Sequence, residues 1–177
     1  TPKGVVVGHD TLAPVVDAYA DYFDIGPADR VSAVANIAFD ASIIEYWPAL
    51  ARGASVHVGA GDILHSVYEL TRWLEREQIT FSWLPTPIVE VLLRDESLRL
   101  PESLRMIETA GERLKCRPGA GWSVPLENSY GPTEATVIAT SSRVAHHADG
   151  LQDIGRPLPG VHIYILDDDR EPVAQAA

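Results

Sequence analysis

Cysteine is nearly absent from this 177-residue chain: Cys116 stands alone. No internal disulfide can form, and no cysteine pair or His/Cys cluster offers zinc-site spacing, a usage that suits a reducing cytoplasmic setting. Basic residues are scarce as well, 14 Lys and Arg against 25 Asp and Glu, for a net charge of -11. Without a cationic field over the whole molecule, nucleic acid and anionic membranes are not expected partners. No apolar run approaches the roughly 18 residues of a membrane span. The opening Thr1-Pro2-Lys3-Gly4 has neither Met nor a signal-like segment, so the chain is expected to be a piece of something longer. Repeats and low-complexity stretches are missing too. What remains is globular composition, 46% hydrophobic and 22% charged, at a length that buries roughly two-thirds of the unfolded surface.

Alternation carries the fold. Short β-branched or apolar runs occur at Gly4–Val7, Val31–Asn36, Ala54–Val58, Ile79–Leu84, Leu104–Glu108, Leu126–Asn128, Val137–Thr140 and Val161–Leu166, each a candidate strand. Between them, helical spacing runs over Leu12–Phe23, from Ile43 to Arg52 behind a possible Asp40-Ala41-Ser42 cap and ahead of a Gly53 stop, over Leu64–Glu77 and over Pro87–Arg94. Strands alternating with helices predict an α/β fold, a layered, largely parallel sheet with flanking helices, whose ligands sit at the carboxyl ends of strands. The turn Gly155-Arg156-Pro157-Leu158-Pro159-Gly160 ahead of Val161–Leu166 predicts that residues 155–177 begin a second sheet.

Asn128-Ser129-Tyr130-Gly131-Pro132-Thr133-Glu134 is a polar, turn-forming heptapeptide between an apolar run and a β-branched one. Gly131 and Pro132 fix the backbone path, Thr133 offers a hydroxyl, Glu134 a hard oxygen ligand and Tyr130 a flat face, parts that suit a nucleotide with magnesium. A plain turn with a solvated Glu134 is the competing reading.

The heptapeptide resembles the Asn-x-Tyr-Gly-Pro-Thr-Glu core motif of amino-acid adenylation domains of nonribosomal peptide synthetases, within the adenylate-forming superfamily of acyl-CoA ligases and luciferases. Other landmarks agree in order and spacing. Thr1-Pro2-Lys3-Gly4-Val5 is similar to the end of that family's phosphate loop, with His9 downstream. Phe39-Asp40-Ala41-Ser42 resembles its Phe-Asp-x-Ser motif, Thr109-Ala110-Gly111-Glu112 its nucleotide turn, and Ile154-Gly155-Arg156-Pro157 its Ile-Gly-Arg-Pro segment. The resemblance spans essentially residues 1–177 and implies part of the large N-terminal subdomain, without the small C-terminal one.

It also implies the chemistry: activation of an α-amino acid by ATP with release of pyrophosphate, then transfer to the phosphopantetheine thiol of a peptidyl carrier protein. An MbtH-like accessory protein is a further partner in some members. Lys3, Thr133 and Glu134 would be catalytic, with Glu134 on Mg2+ and Thr133 at the α-phosphate. Ala110, Gly111, Glu112, Asn128, Ser129, Tyr130 and Gly131 would complete the nucleotide site, Tyr130 stacking on adenine. An acidic chain needs Mg2+ and Lys3 to offset its charge against ATP, while Lys3 reads equally as a solvated lysine at a frayed end. The isolated 177-residue piece, lacking the C-terminal subdomain's lysine, is expected to turn over negligibly.

Substrate class turns on Asp40, which the resemblance assigns to the substrate's α-ammonium. Such a charge-assisted bond contributes roughly 1.5–3 kcal/mol. The plain alternative is a helix N-cap worth about 1 kcal/mol. Aligned to the family's pocket, the lining reads Asp40, Ala41, Ile44, Trp83, Glu108, Ala110, Ser129, Val137 and Ile138. Trp83 reads equally as core. Glu108 ends an apolar run, and a buried carboxylate needs a partner: a polar or basic substrate side chain, a protein group, or a proton. A strand-end Glu reaching water is the alternative, and a medium-sized aliphatic substrate stays open. His146-His147 with Asp149, and Asp167-Asp168-Asp169, read as solvated turns rather than metal sites. The rival functions are an acyl- or aryl-CoA ligase, with Asp40 merely a cap, and a non-catalytic scaffold module.

Overall fold

In the computed structural model, residues 4–146 and 152–173 are described. In chain order the elements are α1 (His9–Tyr22), β1 (Arg30–Ala33), α2 (Ala41–Ala51), β2 (Ser55–Val58), α3 (Val67–Arg76), β3 (Phe81–Pro85), α4 (Thr86–Arg94), β4 (Met106–Ala110), β5 (Leu126–Tyr130), β6 (Thr140–Arg143) and β7 (Arg156–Pro157). The strands form one seven-stranded sheet in the order β2-β1-β3-β4-β5-β6-β7. The first five are mutually parallel, and β6 and β7 add antiparallel. The chain enters at β1, steps outward to β2, then crosses back to β3. That reversal opens a crevice at the strands' carboxyl ends, where open α/β sheets bind ligands.

Period-two alternation divides the sheet's side chains between two cores. Phe81, Trp83 and Met106 meet Tyr19, Phe23 and Ile44 of the α1–α2 side. Leu84, Ile107 and Leu126 meet Leu70, Leu74, Val89 and Leu92 of the α3–α4 side. Burial stabilises by roughly 1.5–3 kcal/mol for each such large side chain. The amphipathic stripe Leu70, Trp73 and Leu74 seats α3, and its start is fixed by Ser66, whose hydroxyl accepts from the Glu69 amide at 3.4 Å. At the end of α2, Gly53 takes φ +75° and the Ala54 amide closes onto Ala49 O at 2.9 Å, the left-handed stop expected of a glycine there.

Asp29 ties three elements at the amino ends of the strands. Its carboxylate accepts from Arg105 through two nitrogens, at 2.8 and 2.9 Å, and from Thr80 at 2.6 Å. Burial pushes the Asp29 carboxyl up, but Arg105, Thr80 and the Gly26 amide together hold it below the usual range.

The structure corrects several local expectations. Gly4–Val7 forms no strand, and Val6 stands open to solvent, because no strand among the described residues pairs with it. The predicted third helix is broken into a 3-10 turn, Ile63–His65, and α3, since Ser66 is extended and caps the latter. The strand expected from Val137 starts at Thr140 instead, because Thr136 and Val137 are both left-handed, φ 60° and 73°. Val161–Leu166 forms no strand: Arg156–Pro157 joins the main sheet as its edge. Leu166 makes only an isolated bridge to Pro172 around the Asp167–Arg170 turn, where Asp167 Oδ1 accepts the Asp169 and Glu171 amides at 2.9 Å.

Candidate active site

A cleft of about 70 Å³ opens at the carboxyl ends of β3, β4 and β5, closed on one side by the start of α2. Asp40, Ala41 and Ile44 come from the β1–α2 turn and α2; Trp83 from β3; Glu108, Ala110 and Gly111 from β4 and its turn. Ser129, Tyr130 and Gly131 come from β5 and its turn, and Val137 and Ile138 from the segment before β6. All nine side chains expected to line a substrate pocket are therefore brought together.

Asp40 stands at the mouth. It precedes α2 with helical φ -62° and ψ -24° and makes no side-chain capping bond, so the N-cap reading fails: an Asp already in helical conformation cannot swing its carboxylate back to the first-turn amides. The carboxylate instead accepts from the Thr133 hydroxyl. Glu45, one turn into α2, reaches back under the β1–α2 turn that carries Asp40. Glu45 Oε1 accepts from the amides of Val34 and Ala35 at 2.8 and 3.1 Å, and Oε2 from Ala35 at 3.1 Å. Burial pushes the Glu45 carboxyl up to about 7 against the downward pull of those amides.

Glu108 and Trp83, opposed across β3 and β4, make the floor. Of the two readings of Glu108, buried or a strand end reaching water, the structure shows the first, with 0% exposure. Strand alternation sends residue 108 to the same face as Met106, under α1. There the Tyr19 hydroxyl donates to Oε2. Burial raises the Glu108 carboxyl to about 7; the nearby Ser129 and Tyr19 hydroxyls oppose the rise, and the charges of Glu127 and Glu45 add to it. Oε1 of Glu108 and Nε1 of Trp83 have no hydrogen-bond partner. Trp83 proves to be both core and cleft wall, at 8% exposure. The Ser129 hydroxyl donates to Ser141 at 3.0 Å, Ser141 to Glu127 at 3.1 Å, and Arg143 pairs Glu127 at 2.7 Å, so Glu127 is fully engaged.

The heptapeptide folds back over the cleft. A Cβ on Gly131 would lie 2.5 Å from Val137 O and Ile138 Cα, so only glycine lets the two segments cross. Pro132 leads into a 3-10 turn, Thr133–Ala135, which leaves Thr133, Glu134 and Tyr130 exposed at the rim. Gly111 takes φ +100°, and its turn is held by the Thr86 hydroxyl, which donates to the carbonyls of Ala110 at 3.1 Å and Glu112 at 3.3 Å. Glu112 is exposed outside the lining. The Asn128 side chain, expected in the nucleotide site and not in this cleft, lies on the sheet face of Leu126, and its amide nitrogen donates to Asp153 O at 2.8 Å. Next to it, Gly155 is obligatory, as a Cβ would lie 1.9 Å from Ser141 O. Lys3, His147 and Asp149 lie outside the described residues, and among those described no group of three His, Cys, Asp or Glu could hold a metal. Glu134 is exposed and engaged in no ion pair or hydrogen bond among the described residues. A lone carboxylate suits Mg2+, which takes most of its ligands from water and substrate phosphates.

Sequence patterning missed Tyr19, Glu45 and Thr86. Glu45, a carboxylate inside the apolar stretch Ile43–Trp47, was the available signal, because a charge on a buried helix face needs a partner.

A parallel-sheet crevice with a glycine-crossed polar loop over a closed side-chain cleft defines the large subdomain of the adenylate-forming fold. The sequence matches the family described as "AMP-binding enzyme" over residues 1–177, and the chain belongs to it. It is 39% identical over 177 residues to one of the linear gramicidin synthase proteins of Brevibacillus parabrevis, covering 98% of this chain and 2% of that protein. It is 35% identical over 167 residues to surfactin synthase subunit 1 of Bacillus subtilis (strain 168), covering 94% and 4%. Among solved structures, the nonribosomal peptide synthetase FmoA3 superposes with a TM-score of 0.84 at 26% identity, over 97% of this chain and 19% of that one. The Vibrio cholerae adenylation domain AlmE, in complex with glycyl-adenosine-5'-phosphate, superposes with a TM-score of 0.81 at 24% identity, over 97% and 33%, a likeness of fold. The resemblance to adenylation domains is thus borne out, and the chain spans only 2–4% of the length of these curated relatives. No helix among the described residues is long and apolar enough to cross a membrane.

Proposed function

We propose that this chain is the central part of the large N-terminal subdomain of an amino-acid adenylation domain, and that the intact cytoplasmic enzyme activates an α-amino acid with ATP. One observation carries the reading: Asp40 caps no helix, and its carboxylate stands at the mouth of a closed cleft, bonded to Thr133 of the rim motif. An α-ammonium at Asp40 directs the substrate side chain inward toward Glu108 and Trp83. It leaves the substrate carboxylate at the rim beside Thr133, Tyr130 and Gly111, where ATP is to lie. Holding carboxylate and α-phosphorus together is the main catalytic task, since in-line displacement of pyrophosphate asks little covalent chemistry of side chains.

Thr133 trades its bond with Asp40 for the α-phosphate as the ammonium arrives, and Tyr130 offers its exposed ring to adenine. Mg2+, held by Glu134, supplies charge to set against the phosphates. Lys3 adds a cation in the same role. The Asn128 amide nitrogen, donating to Asp153 O, holds the 152–155 segment, and its carbonyl oxygen reads the adenine edge with the Ser129 backbone. Transfer of the aminoacyl group to a carrier protein's phosphopantetheine, completion of the site by a small C-terminal subdomain, and dependence on an MbtH-like protein belong to the same reading.

The test is amino-acid-dependent ATP–pyrophosphate exchange by the intact enzyme. Exchange with α-amino acids supports the proposal. Exchange only with carboxylic acids lacking the amine assigns a CoA ligase, and folded protein without Mg2+-dependent ATP binding assigns a scaffold.

A further inference from the structure

One proton is claimed from two sides at the mouth of the cleft. The Thr133 hydroxyl donates to Asp40 Oδ2 across 93 residues of sequence, with Thr133 exposed and Asp40 half-buried. A threonine hydroxyl has a single hydrogen to give, so while Asp40 holds it none is left for a phosphate oxygen. Nor is the loop free to shift. Its backbone is pinned where Gly131 crosses Val137 and Ile138, by the Ala139 amide on Tyr130 O at 2.8 Å and by the Thr136 amide on Thr133 O at 3.1 Å. The hydroxyl therefore changes partner by turning about its own side-chain torsion, between discrete rotamers. Resting on the reading that Asp40 receives the substrate α-ammonium and Thr133 the α-phosphate, we propose that the Asp40–Thr133 hydrogen bond is a latch that couples the two substrates, so that each binds more tightly once the other is in place.

The coupling follows from what each ligand does to that bond. A hydrogen bond to a charged acceptor is roughly twice as strong as a neutral one. An ammonium on Asp40, at either oxygen, neutralises the carboxylate, loosens its hold on Thr133 and frees the hydroxyl for ATP. ATP arriving first draws the hydroxyl away and leaves the carboxylate without its donor, so the ammonium meets no competitor there. Linkage makes the two effects equal. With neither ligand present the closed latch dominates, and each substrate alone binds more weakly in proportion to the open fraction. ATP without the amino acid is thereby held loosely, its α-phosphate unsupported by Thr133, which limits idle hydrolysis. The substrate carboxylate repels the phosphates beside it and acts the other way, so the latch is the Thr133-dependent share of the coupling.

The test measures, by calorimetry, the Kd of the intact enzyme for its best α-amino acid, without nucleotide and with saturating Mg2+ and α,β-methylene-ATP, in the parent, Thr133→Val and Thr133→Ser. The coupling factor, the ratio of the two constants, is expected to be about fivefold or more larger in the parent than in Thr133→Val. Thr133→Ser, which keeps the hydroxyl, is expected to retain it. The sign is specific to a latch: Thr133→Val binds the amino acid alone more tightly than the parent does, whereas loss of a plain phosphate contact leaves that constant unchanged. Asp40→Ala gives the reciprocal reading, tighter binding of α,β-methylene-ATP without amino acid, and decides the matter where Thr133→Val fails to fold. Equal coupling factors in the parent and Thr133→Val, or no gain in either single-ligand affinity, overturn the proposal while the activation reading stands. Absence of binding and of exchange with every α-amino acid overturns both.

Discussion

The Tyr19 hydroxyl donates to Glu108 Oε2 across 89 residues of sequence, joining α1 to the floor of the cleft. The bond makes the first helix part of the site although it contributes nothing to the lining. Tyr19→Phe removes the donor from Glu108 Oε2. The expected result is a loss of about 1–3 kcal/mol in unfolding free energy of the intact domain, read from denaturant midpoints at constant m-value.

Glu108 makes stability pH-dependent in an unusual direction for a carboxylate. Its folded pKa of about 7 lies above the ordinary 4.5, so the folded state holds the proton longer than the unfolded one. The contribution is complete below pH 4.5 and is lost as pH rises through 7. Glu45, raised to about 7 as well, acts in the same window. Unfolding midpoints are expected to fall between pH 4.5 and 7.5, and Glu108→Gln, which does not titrate, to flatten part of that slope.

Arg105 and Asp29 give the opposite dependence. Asp29 is held below its ordinary 3.8, so its contribution is present above that pH and disappears as pH falls through the depressed folded value. Arg105→Ala is expected to cost about 1–3 kcal/mol near neutrality, with the gap to the parent closing in acid below pH 3.8.

Glu45 is a positioning residue for Asp40, acting through the amides of Val34 and Ala35. Glu45→Leu is expected to raise KM for the amino acid about tenfold while moving KM for ATP much less, and Glu45→Gln, whose carbonyl still accepts, to restore most of the loss. Equal changes in both constants would assign Glu45 a general structural role.

Gly131→Ala tests the loop crossing. With Val137 O and Ile138 Cα each 2.5 Å from the added carbon, two backbone segments must separate. A loss above about 3 kcal/mol, or failure to fold, is expected.

The alternation of strands and helices was legible because the strands are short apolar runs buried on both faces, Phe81 and Trp83 on one and Leu84 on the other, while α3 carries a one-sided stripe, Leu70–Trp73–Leu74. The cleft lining was legible only through motif resemblance, since residues as far apart as Asp40 and Ile138 share no local pattern. Where local signals misled, long-range contacts explain the difference. Asp40 looks like a cap because its composition fits one, yet Thr133 holds its carboxylate. Val137 looks like a strand start, yet its φ of 73° follows from the turn that lets Gly131 pass beneath it. Glu108 looks like a solvent-facing strand end because nothing in its own segment announces that Tyr19 lies above it.

The most direct test of the account is ATP–pyrophosphate exchange by the intact enzyme with its best α-amino acid and the matching carboxylic acid that lacks the amine, in the parent and in Asp40→Ala. The account predicts exchange with the amino acid alone in the parent and loss of at least about a hundredfold in Asp40→Ala, with ATP binding retained. Equal exchange with both acids in the parent, or an Asp40→Ala enzyme that still selects the amino acid, would contradict it.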